Sequence, residues 1–526
     1  MKKLIALVLA LIMVLSMVAC GAKTEEPAAP AAPDASAADS PTETPKEEAP
    51  ETPDEPRTLT IGWEKSPATL NAHANTENVV LQVGHLVHGF LTSLNNENGG
   101  PIQPAVAESW EYKSNTELVL HIRDDVYWHN GRQLTVEDII YTFDWVKDEA
   151  NGSSRRAQFL VIDKAEKTGD WEVTLTLANP DPSLLELMSY LCLVAEDTVD
   201  TLADAPIGCG PFKFVSWDEG QQINFEVFDK FYNAGTIQFD KLVMRTFGDY
   251  NAAMTAFFAG EVDVLCGVKG TDVAAVESRP GFYVQSIADT GNYVSCNTAQ
   301  EKLANPKVRE AIKYAIDKQE MIDILVAGVG EPVSQVLPTS NAFYNKELDW
   351  EVDRERAKQA LIDAGYPDGL DIEILVPNTQ ARVDLATVLK EQLDQVGFNT
   401  TVNIQENATM FEIWNAGNAE LAIGGFGFYA DPSFRTTFLS STINGAWKRY
   451  GFDDAEYNEL LDQGKKSTDT AERKEIYSRV FQKAIDEAGF FMLFASTSNA
   501  AVKDNIEGLI FRGSGNSDFT QITFKK

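Results

Sequence analysis

The stretch LDIEILVPNTQARVDLATVLKEQLDQVGFNTTVNIQ, residues 370–405, decides the fold class of this chain. Its first part, Leu370–Val376, and its last part, Phe398–Gln405, are rich in β-branched and apolar residues and predict two strands. Between them, Ala381–Val396 has the apolar spacing of a helix, which Gly397 is expected to end. A strand, a helix and a strand in this order build a parallel sheet. We therefore expect an α/β protein.

More helices are predicted on both sides of this unit. Asn305 and Pro306 form a helix start, and apolar residues follow at helical spacing as far as Ile322. Further helices are predicted at Arg354–Ala364, Ala455–Gln463 and Ala471–Ala488, and an apolar strand at Phe490–Ala495. The second half of the chain therefore reads as alternating helices and strands.

The first half of the chain is predicted to consist mostly of short strands. One helix interrupts them, because Thr135 and Asp138 make a capping-box start ahead of an apolar face. The predicted strands are Thr58–Trp63, Glu117–Arg123, Glu172–Leu177, Phe212–Trp217, Ile223–Phe228 and Lys241–Phe247. The contrast between the halves predicts two lobes, one rich in sheet and one α/β.

The N-terminus has the features of an export signal. Lys2 and Lys3 precede the apolar run Leu4–Ala19, which is too short for a comfortable membrane span. Cys20 follows the small Ala19, an arrangement that resembles a bacterial lipobox with lipid on the new N-terminal Cys. We expect residues 1–19 to be a signal peptide, with an ordinary signal and a chance Cys as the alternative. Residues 20–56, almost all Ala, Pro, Glu, Asp, Ser and Thr after the Cys, predict an extended tether.

Composition excludes some partners and leaves one question open. The formal net charge of −35 argues against nucleic acid as a ligand and against unassisted binding to anionic lipid. Beyond Cys20 the chain has four cysteines without C-x-x-C spacing, and an exported protein could pair them. Their redox state stays open: Cys192, Cys209, Cys266 and Cys296.

Sequence signatures of catalysis are missing. The chain contains no H-E-x-x-H, G-x-S-x-G or G-x-x-x-x-G-K pattern. The run Lys167–Gly169 lacks a partner S-x-x-K and is expected to be a hairpin turn. His85 and His88 stand at i, i+3, but no nearby Cys or carboxylate completes a metal set. We therefore expect no catalytic residue, no metal and no cofactor.

Several motifs, in order along the chain, carry a family resemblance. They are PAVAESW at 104–110, LHIR at 120–123, VYWHNG at 126–131, LTVEDI at 134–139, GCGPF at 208–212, VREAIKYAID at 308–317 and AGYPDG at 364–369, followed by Tyr477. With these motifs the chain resembles the extracellular solute-binding proteins of peptide- and nickel-type ABC importers, the oligopeptide- and dipeptide-binding family 5. The resemblance covers nearly the whole chain after the tether.

The resemblance implies an α/β, two-lobed fold like that of periplasmic binding proteins, of the large cluster C type, with a hinge and an interlobe ligand cleft. It implies lobe I at residues 57–287 plus 502–526, and lobe II at residues 288–501. Lobe II is then an insertion between two crossing strands near Tyr283–Tyr293 and Ala495–Val502.

The best candidate for a ligand site runs from Trp414 to Trp447. Within it, Ala419–Phe428 predicts a strand that becomes rich in glycine and aromatic residues and leads to two opposite charges. Glycines allow close approach of a ligand and aromatic rings cover it. A core strand with a solvated turn is the alternative. On the other lobe, Trp63 and Glu64 follow a predicted strand end, where α/β folds present ligands, although Trp63 could equally pack in the core. The candidates are Trp63, Glu64, Trp414, Phe426, Phe428, Tyr429, Asp431, Arg435 and Trp447.

One position departs from the family pattern. In typical peptide binders an Asp three residues before the Pro of this segment holds the free ammonium of the peptide, and here that position is Tyr429. A buried ammonium needs an anionic partner. Either Asp431 or Glu64 substitutes, or the ligand is not an ordinary peptide with a free amino group.

The resemblance implies a monomeric binding protein, lipid-anchored on the outer face of a bacterial cell membrane, that delivers peptides to an ABC permease and its ATPase. It implies no enzyme activity. Two alternatives stay open: another polar solute, such as a nickel chelate or an oligosaccharide, and a sensor or chaperone lipoprotein with the same cleft. An envelope enzyme is disfavoured, because no nucleophile, base or metal set can be assembled from the sequence.

Overall fold

The computed structural model describes residues 57–94, 102–442, 445–513 and 515–525. The predicted signal peptide, Cys20 and the predicted tether lie outside these residues. None of the described helices is both long enough and apolar enough to cross a membrane.

The described strands, numbered in chain order, include two that are much longer than the rest, β12 and β17. They are β1 (Thr58–Trp63), β2 (Thr92–Leu94), β3 (Ile102–Pro104), β4 (Ala107–Ser114), β5 (Glu117–Ile122), β6 (Ile162–Gly169), β7 (Glu172–Leu177), β8 (Phe212–Asp218), β9 (Gln222–Val227), β10 (Lys241–Thr246), β11 (Val264–Cys266), β12 (Phe282–Cys296), β13 (Gly330–Glu331), β14 (Leu370–Pro377), β15 (Phe398–Gln405), β16 (Leu421–Gly427), β17 (Phe490–Lys503), β18 (Ile506–Glu507) and β19 (Thr523–Phe524).

The described α-helices are mostly in the second half of the chain. They are α1 (Asn78–Val87), α2 (Val136–Lys147), α3 (Arg156–Phe159), α4 (Leu184–Leu187), α5 (Tyr250–Phe258), α6 (Gly270–Glu277), α7 (Glu301–Ala304), α8 (Pro306–Ala315), α9 (Lys318–Val326), α10 (Arg354–Asp363), α11 (Gln380–Asp394), α12 (Asn407–Asn415), α13 (Ser433–Thr436), α14 (Ala455–Lys466) and α15 (Thr470–Asp486).

One large sheet runs through the described residues, in the order β15-β14-β16-β12-β17-β11-β1-β10-β9-β8, with β13 attached to β17. Strand β14 lies parallel to both β15 and β16, and β1 lies parallel to both β10 and β11. The strand–helix–strand unit predicted from residues 370–405 is therefore present, and it forms one end of this sheet.

Strands β12 and β17 join the two halves of the large sheet. They pair antiparallel along almost their full length, from Phe282 opposite Lys503 to Ser295 opposite Phe490. The last part of β12 also pairs with β16, whereas the last part of β17 pairs with β11. Both predicted crossing segments lie within these two strands. The predicted lobe boundaries themselves, residues 287/288 and 501/502, stay predictions.

Both faces of the second half of the sheet are buried. Along β17, Phe491 and Leu493 belong to one apolar cluster, while Phe490 and Met492 belong to another. Because successive side chains of a strand point to opposite faces, the continuous apolar run of β17 places helices and loops on both sides. A separate four-stranded sheet, β4-β5-β7-β6, packs with α2 around its own core, which includes Trp128 and Phe143.

The structure corrects one predicted helix. The apolar spacing after Pro306 continues to Ile322, but the chain breaks at Ile316, whose backbone is extended (φ −75°, ψ 115°). The carboxylate of Asp317 accepts a hydrogen bond from the backbone N–H of Glu320 at 3.0 Å and starts a second helix, α9. A side chain that satisfies a backbone donor in this way competes with helix continuation.

Gly208, in one of the family motifs, allows a close contact between backbones that a side chain would prevent. A Cβ at this position would lie 2.0 Å from the carbonyl oxygen of Val87 and 2.9 Å from the Cα of His88. We expect Gly208→Ala to lower the free energy of unfolding by about 3 kcal/mol, because backbone atoms cannot rotate away as side chains can. Urea unfolding would measure this.

Gly235→Ala is the matched control for Gly208→Ala. No atom lies within 4 Å of a Cβ built at Gly235, so we expect its free energy of unfolding to stay within about 0.5 kcal/mol of the parent chain. Equal unfolding midpoints for the two variants would contradict the close contact at Gly208.

Candidate functional site

A cavity of about 370 Å³ lies between the predicted lobes. Predicted lobe I contributes residues of α1 and its flanks, Arg155 and Gln158 around α3, and Tyr190 after α4. Predicted lobe II contributes the segment 427–429 and Arg435. Ligand pockets in proteins commonly have this size and position, a concave site between two lobes.

The lobe II wall is built on the end of β16. The strand stops at Gly427, and the backbone N–H of Phe428 donates to the carbonyl oxygen of Asp289 at 3.1 Å. The next side chain, Tyr429, stacks on Phe434 with 4.4 Å between ring centroids. This stacking fixes the Tyr429 ring at the edge of the cavity.

Arg435 is held against the same wall by its guanidinium. Its Nε and Nη2 atoms donate to the carbonyl oxygen of Gly427 at 2.9 and 2.6 Å. The guanidinium also lies over the ring of Tyr429, with its Cζ 4.8 Å from the centroid. Burial lowers the pKa of Arg435. The charge of this side chain is therefore poorly hydrated and has no carboxylate partner among the described residues.

The lobe I wall carries a second arginine above a second tyrosine. The Cζ atom of Arg155 lies 5.6 Å from the centroid of the Tyr190 ring. The rings of Tyr190 and Tyr429 meet edge to face across the cavity, 6.2 Å apart. The Nε of Arg155 and the Oε1 of Gln158 are buried and lack a hydrogen-bond partner among the described residues. These atoms are available to a ligand or to water.

His85, the remaining titratable base at the cavity, is neutral. Burial, together with the positive charges of Arg512 and Arg155, holds its pKa well below the ordinary value of 6.5. Its ring packs against Phe90 at 4.4 Å. His85 therefore contributes a polar, uncharged side chain to the cavity wall.

Three predicted site residues line this cavity: Phe428, Tyr429 and Arg435. Two others, Trp414 and Phe426, line a neighbouring cavity of about 310 Å³, which Arg435 also borders. Trp447 lines neither of these two cavities.

The two lobe I candidates lie away from the interlobe cavity. Trp63 packs against the apolar cluster around β1, and its Nε1 is buried without a hydrogen-bond partner among the described residues. Glu64 is exposed and is not part of the cavity wall. The expectation that Glu64 stands in for the family's Asp stays a prediction, and this arrangement gives it no support because the side chain is exposed and lies outside the cavity lining.

The carboxylate of Asp431 is engaged within the protein. Its carboxylate oxygens bind the guanidinium of Arg473 at 2.7 and 3.0 Å, and one of them accepts the N–H of Ser433 at 2.9 Å. Both side chains of the pair are less than 10% exposed, at 8% and 7%. The expectation that Asp431 supplies the counter-charge for an ammonium stays a prediction, which this geometry disfavours because Arg473 already pairs with the carboxylate.

Glu186 connects predicted lobe I to the segment that follows Tyr429 in predicted lobe II. From α4 in predicted lobe I, its carboxylate accepts hydrogen bonds from the backbone N–H groups of Ala430 at 2.8 Å and Asp431 at 2.6 Å, both in predicted lobe II. Burial and the nearby charge of Asp431 raise its pKa to about 8, against the opposing effect of the hydrogen bonds from these N–H groups and from Tyr190.

Sequence reasoning missed Arg155, Gln158, Tyr190 and Glu186. None of them belongs to a spaced pattern. Arg155 stands in a polar run before a one-turn helix, and Glu186 stands among leucines in another such helix. Only the fold brings these residues opposite segment 427–435, so no local signal could have identified them.

The described residues hold no group of three or more His, Cys, Asp or Glu side chains placed to bind a metal ion. The question of the cysteines is answered for the described chain, where Cys192, Cys209, Cys266 and Cys296 are buried free thiols. Burial raises the pKa of each of them to about 12.

Comparisons with known proteins agree on one family. The family model described as bacterial extracellular solute-binding proteins, family 5 middle, matches residues 101–446. Oligopeptide-binding protein AppA of Bacillus subtilis is 24% identical over 484 residues, which cover 86% of this chain and 88% of that protein. Heme-binding protein A of Haemophilus influenzae is 25% identical over 454 residues, covering 78% and 82%. These relatives are named for binding, not for catalysis.

Solved structures show the same fold. HbpA2 from Haemophilus parasuis matches with a TM-score of 0.83 and 20% identity, covering 89% of this chain and 100% of that one. The periplasmic binding protein DppA from Helicobacter pylori, in complex with the peptide STSA, matches with a TM-score of 0.69 and 21% identity, covering 89% and 98%. The predicted α/β, two-lobed binding-protein fold is thereby confirmed.

Proposed function

Because this chain belongs to the bacterial extracellular solute-binding proteins of family 5, we propose that it captures oligopeptides or dipeptides outside the cell and delivers them to the permease of an ABC importer. The observation that carries this proposal is the interlobe cavity. Its walls come from both predicted lobes, with Tyr190 on one side and Tyr429 on the other. A ligand held there contacts both lobes and stabilises their approach, which is how a hinged binding protein signals that it is loaded.

The site of this proposal consists of Phe428, Tyr429 and Arg435, together with Arg155, Gln158 and Tyr190. The Nε of Arg155 and the Oε1 of Gln158, which lack a hydrogen-bond partner among the described residues, and the aromatic faces of the site suit a ligand that mixes backbone-like polar groups with apolar side chains. The neighbouring cavity, with Trp414 and Phe426, lies beyond Arg435 and offers room for a longer ligand.

The protein works as a monomer on the outer face of the membrane in this proposal. Lipid on Cys20 anchors it, and residues 21–56 hold the body away from the membrane surface. Its partners are the permease and the ATPase of the importer, which supply the energy, while the binding protein itself performs no chemistry.

Native mass spectrometry of the full chain, purified gently from cells that express it, tests this function. Denaturation then releases whatever is bound for identification. A ladder of peptide masses is the expected result. One discrete non-peptide mass, such as a metal chelate or an oligosaccharide, would replace the peptide with another polar solute. An empty protein that also binds no member of a random tripeptide library would overturn the peptide assignment.

A further inference from the structure

We propose that the ligand of the interlobe cavity presents an anionic group, in peptides the C-terminal carboxylate, which Arg155 and Arg435 hold from opposite walls. The inference rests on the proposed solute-binding function and names the charge that the cavity selects. It replaces the ammonium, which typical members of the family anchor, by an anion as the charged anchor point of the ligand.

The first observation is that Arg155 has no anionic partner among the described residues. Its guanidinium lies over the Tyr190 ring and forms no ion pair with a described residue, and its Nε is buried without a hydrogen-bond partner in the described structure. The neighbouring Arg156 is different, because its Nε donates to the carbonyl oxygen of Lys147 at 2.9 Å and its Nη2 lies 3.8 Å from Glu149. Of two adjacent arginines, the one at the cavity is the one left without an anion.

The second observation is that Arg435, in the other predicted lobe, also has no anionic partner among the described residues. Among the described residues its donors reach only the carbonyl oxygen of Gly427, and its guanidinium is surrounded by the rings of Phe426, Tyr429 and Phe438. Aromatic faces and one carbonyl attract a cation weakly, whereas a carboxylate pairs with a guanidinium through two strong, charge-assisted hydrogen bonds. An anion in the cavity would therefore gain much from this group.

The described part of the cavity wall carries no acidic side chain. Among the described residues that line it, the only charged side chains are Arg155 and Arg435, and no Asp or Glu is present. This is unusual for a chain with 79 acidic and 44 basic residues. Of the buried acids on the adjoining segments, Glu186 is directed at the N–H groups of Ala430 and Asp431, and Asp431 is paired with Arg473.

An ammonium is therefore a poor ligand group for this cavity. It would be desolvated near two cations without a carboxylate to offset the cost. The replacement of the family's Asp by Tyr429 removes the usual anion from this place, and the pair Asp431–Arg473 is closed to the ligand. The same geometry that rejects an ammonium attracts a carboxylate.

The test uses one tripeptide library in three forms: with free ends, with an acetylated N-terminus, and with an amidated C-terminus. Affinity is measured by calorimetry on the full chain after removal of bound ligand by dialysis. Succinate and citrate serve as carboxylates that are not peptides. We expect acetylation to change affinity less than threefold, and amidation to weaken binding about tenfold or more.

Charge-removing variants assign the effect to the two arginines. Arg155→Gln and Arg435→Gln are each expected to weaken binding of the free-ended library about tenfold and binding of the amidated library much less, so that the advantage of a free C-terminus is largely lost. Arg156→Gln is the matched control, since it removes the same charge one residue away and outside the cavity. It should bind all three forms as the parent chain does.

The outcomes separate this inference from the proposed function. Amidated peptides that bind as tightly as free ones, or acetylated peptides that fail to bind, would contradict the anionic anchor. Peptide capture would still be supported by either result. If succinate or citrate binds and no peptide does, the anionic anchor is supported and the assignment of peptides as ligands is contradicted. If no probe binds, both are overturned.

Discussion

Asp431→Asn is expected to lower the free energy of unfolding by about 4 kcal/mol, because it leaves the buried guanidinium of Arg473 without its anion. The pair is almost fully enclosed, and its two hydrogen bonds measure 2.7 and 3.0 Å. The other contacts of Arg473 are a hydrogen bond from its Nε to the carbonyl oxygen of Gly464 at 3.0 Å and the rings of Phe343 and Tyr477, and none of them carries the negative charge that would neutralise it. Chemical denaturation of the parent chain and the variant would measure the loss.

A second variant separates the charge effect from the loss of packing. Asp431→Asn combined with Arg473→Met removes both charges, and we expect it to recover at least half of the lost stability, since a neutral pair costs less to bury. Glu456→Gln is the matched control, because it breaks the exposed pair with Arg479 and should cost less than about 1 kcal/mol. A variant Asp431→Asn of unchanged stability that lost ligand binding would return Asp431 to the ligand site.

The elements that sequence reasoning predicted accurately carry their own boundary signals. Strand β15 begins at Phe398 because Gly397 adopts a positive φ of 111°, which other residues rarely adopt. Helix α2 begins after Thr135, whose backbone N–H donates to the carboxylate of Asp138 at 2.9 Å. Such signals act over three or four residues, so they are legible in the sequence alone.

The ligand site could be predicted only on one side. Phe428, Tyr429 and Arg435 follow a glycine-rich strand end, a local feature that indicates a place where a ligand approaches. The pairing of Asp431 could not be predicted, because its partner, Arg473, is 42 residues away on helix α15. Nothing near Asp431 in the sequence shows that its charge is already neutralised.

The opposite wall of the site had no sequence signal at all. Glu186 meets Ala430 across a separation of 244 residues, and Arg155 lines the same cavity as Tyr429 only because β12 and β17 bring the two predicted lobes together. Long-range pairing of this kind depends on the complete topology. The family resemblance supplied that topology, but it did not supply the residues by which this chain differs from the family.

Rising pH is expected to separate the predicted lobes, because Glu186 must stay protonated to be buried between them. Burial and the charge of Asp431 raise its pKa to about 8 when the lobes touch, against an ordinary value of 4.5 when water surrounds it. Between pH 4.5 and about 8, Glu186 therefore takes up a proton when the predicted lobes come into contact. Its contribution is fully present below pH 4.5 and is lost as the pH rises through about 8. A shift of this size corresponds to roughly 5 kcal/mol.

Glu186→Gln tests this prediction, because a glutamine has no proton to lose. Förster transfer between dyes at the exposed positions Lys164 and Gln463, one in each predicted lobe, reports lobe contact from pH 5 to pH 9. Transfer should fall steeply with pH in the parent chain and stay level in the variant. Other groups also titrate, such as His85 and Lys318, and burial lowers the pKa of Lys318 to about 7. These groups are the same in both proteins, so their effect on the transfer cancels in the comparison. Equal pH profiles would show that the hydrogen bonds from Ala430 and Asp431 hold Glu186 ionised, and that burial is the weaker influence on its charge.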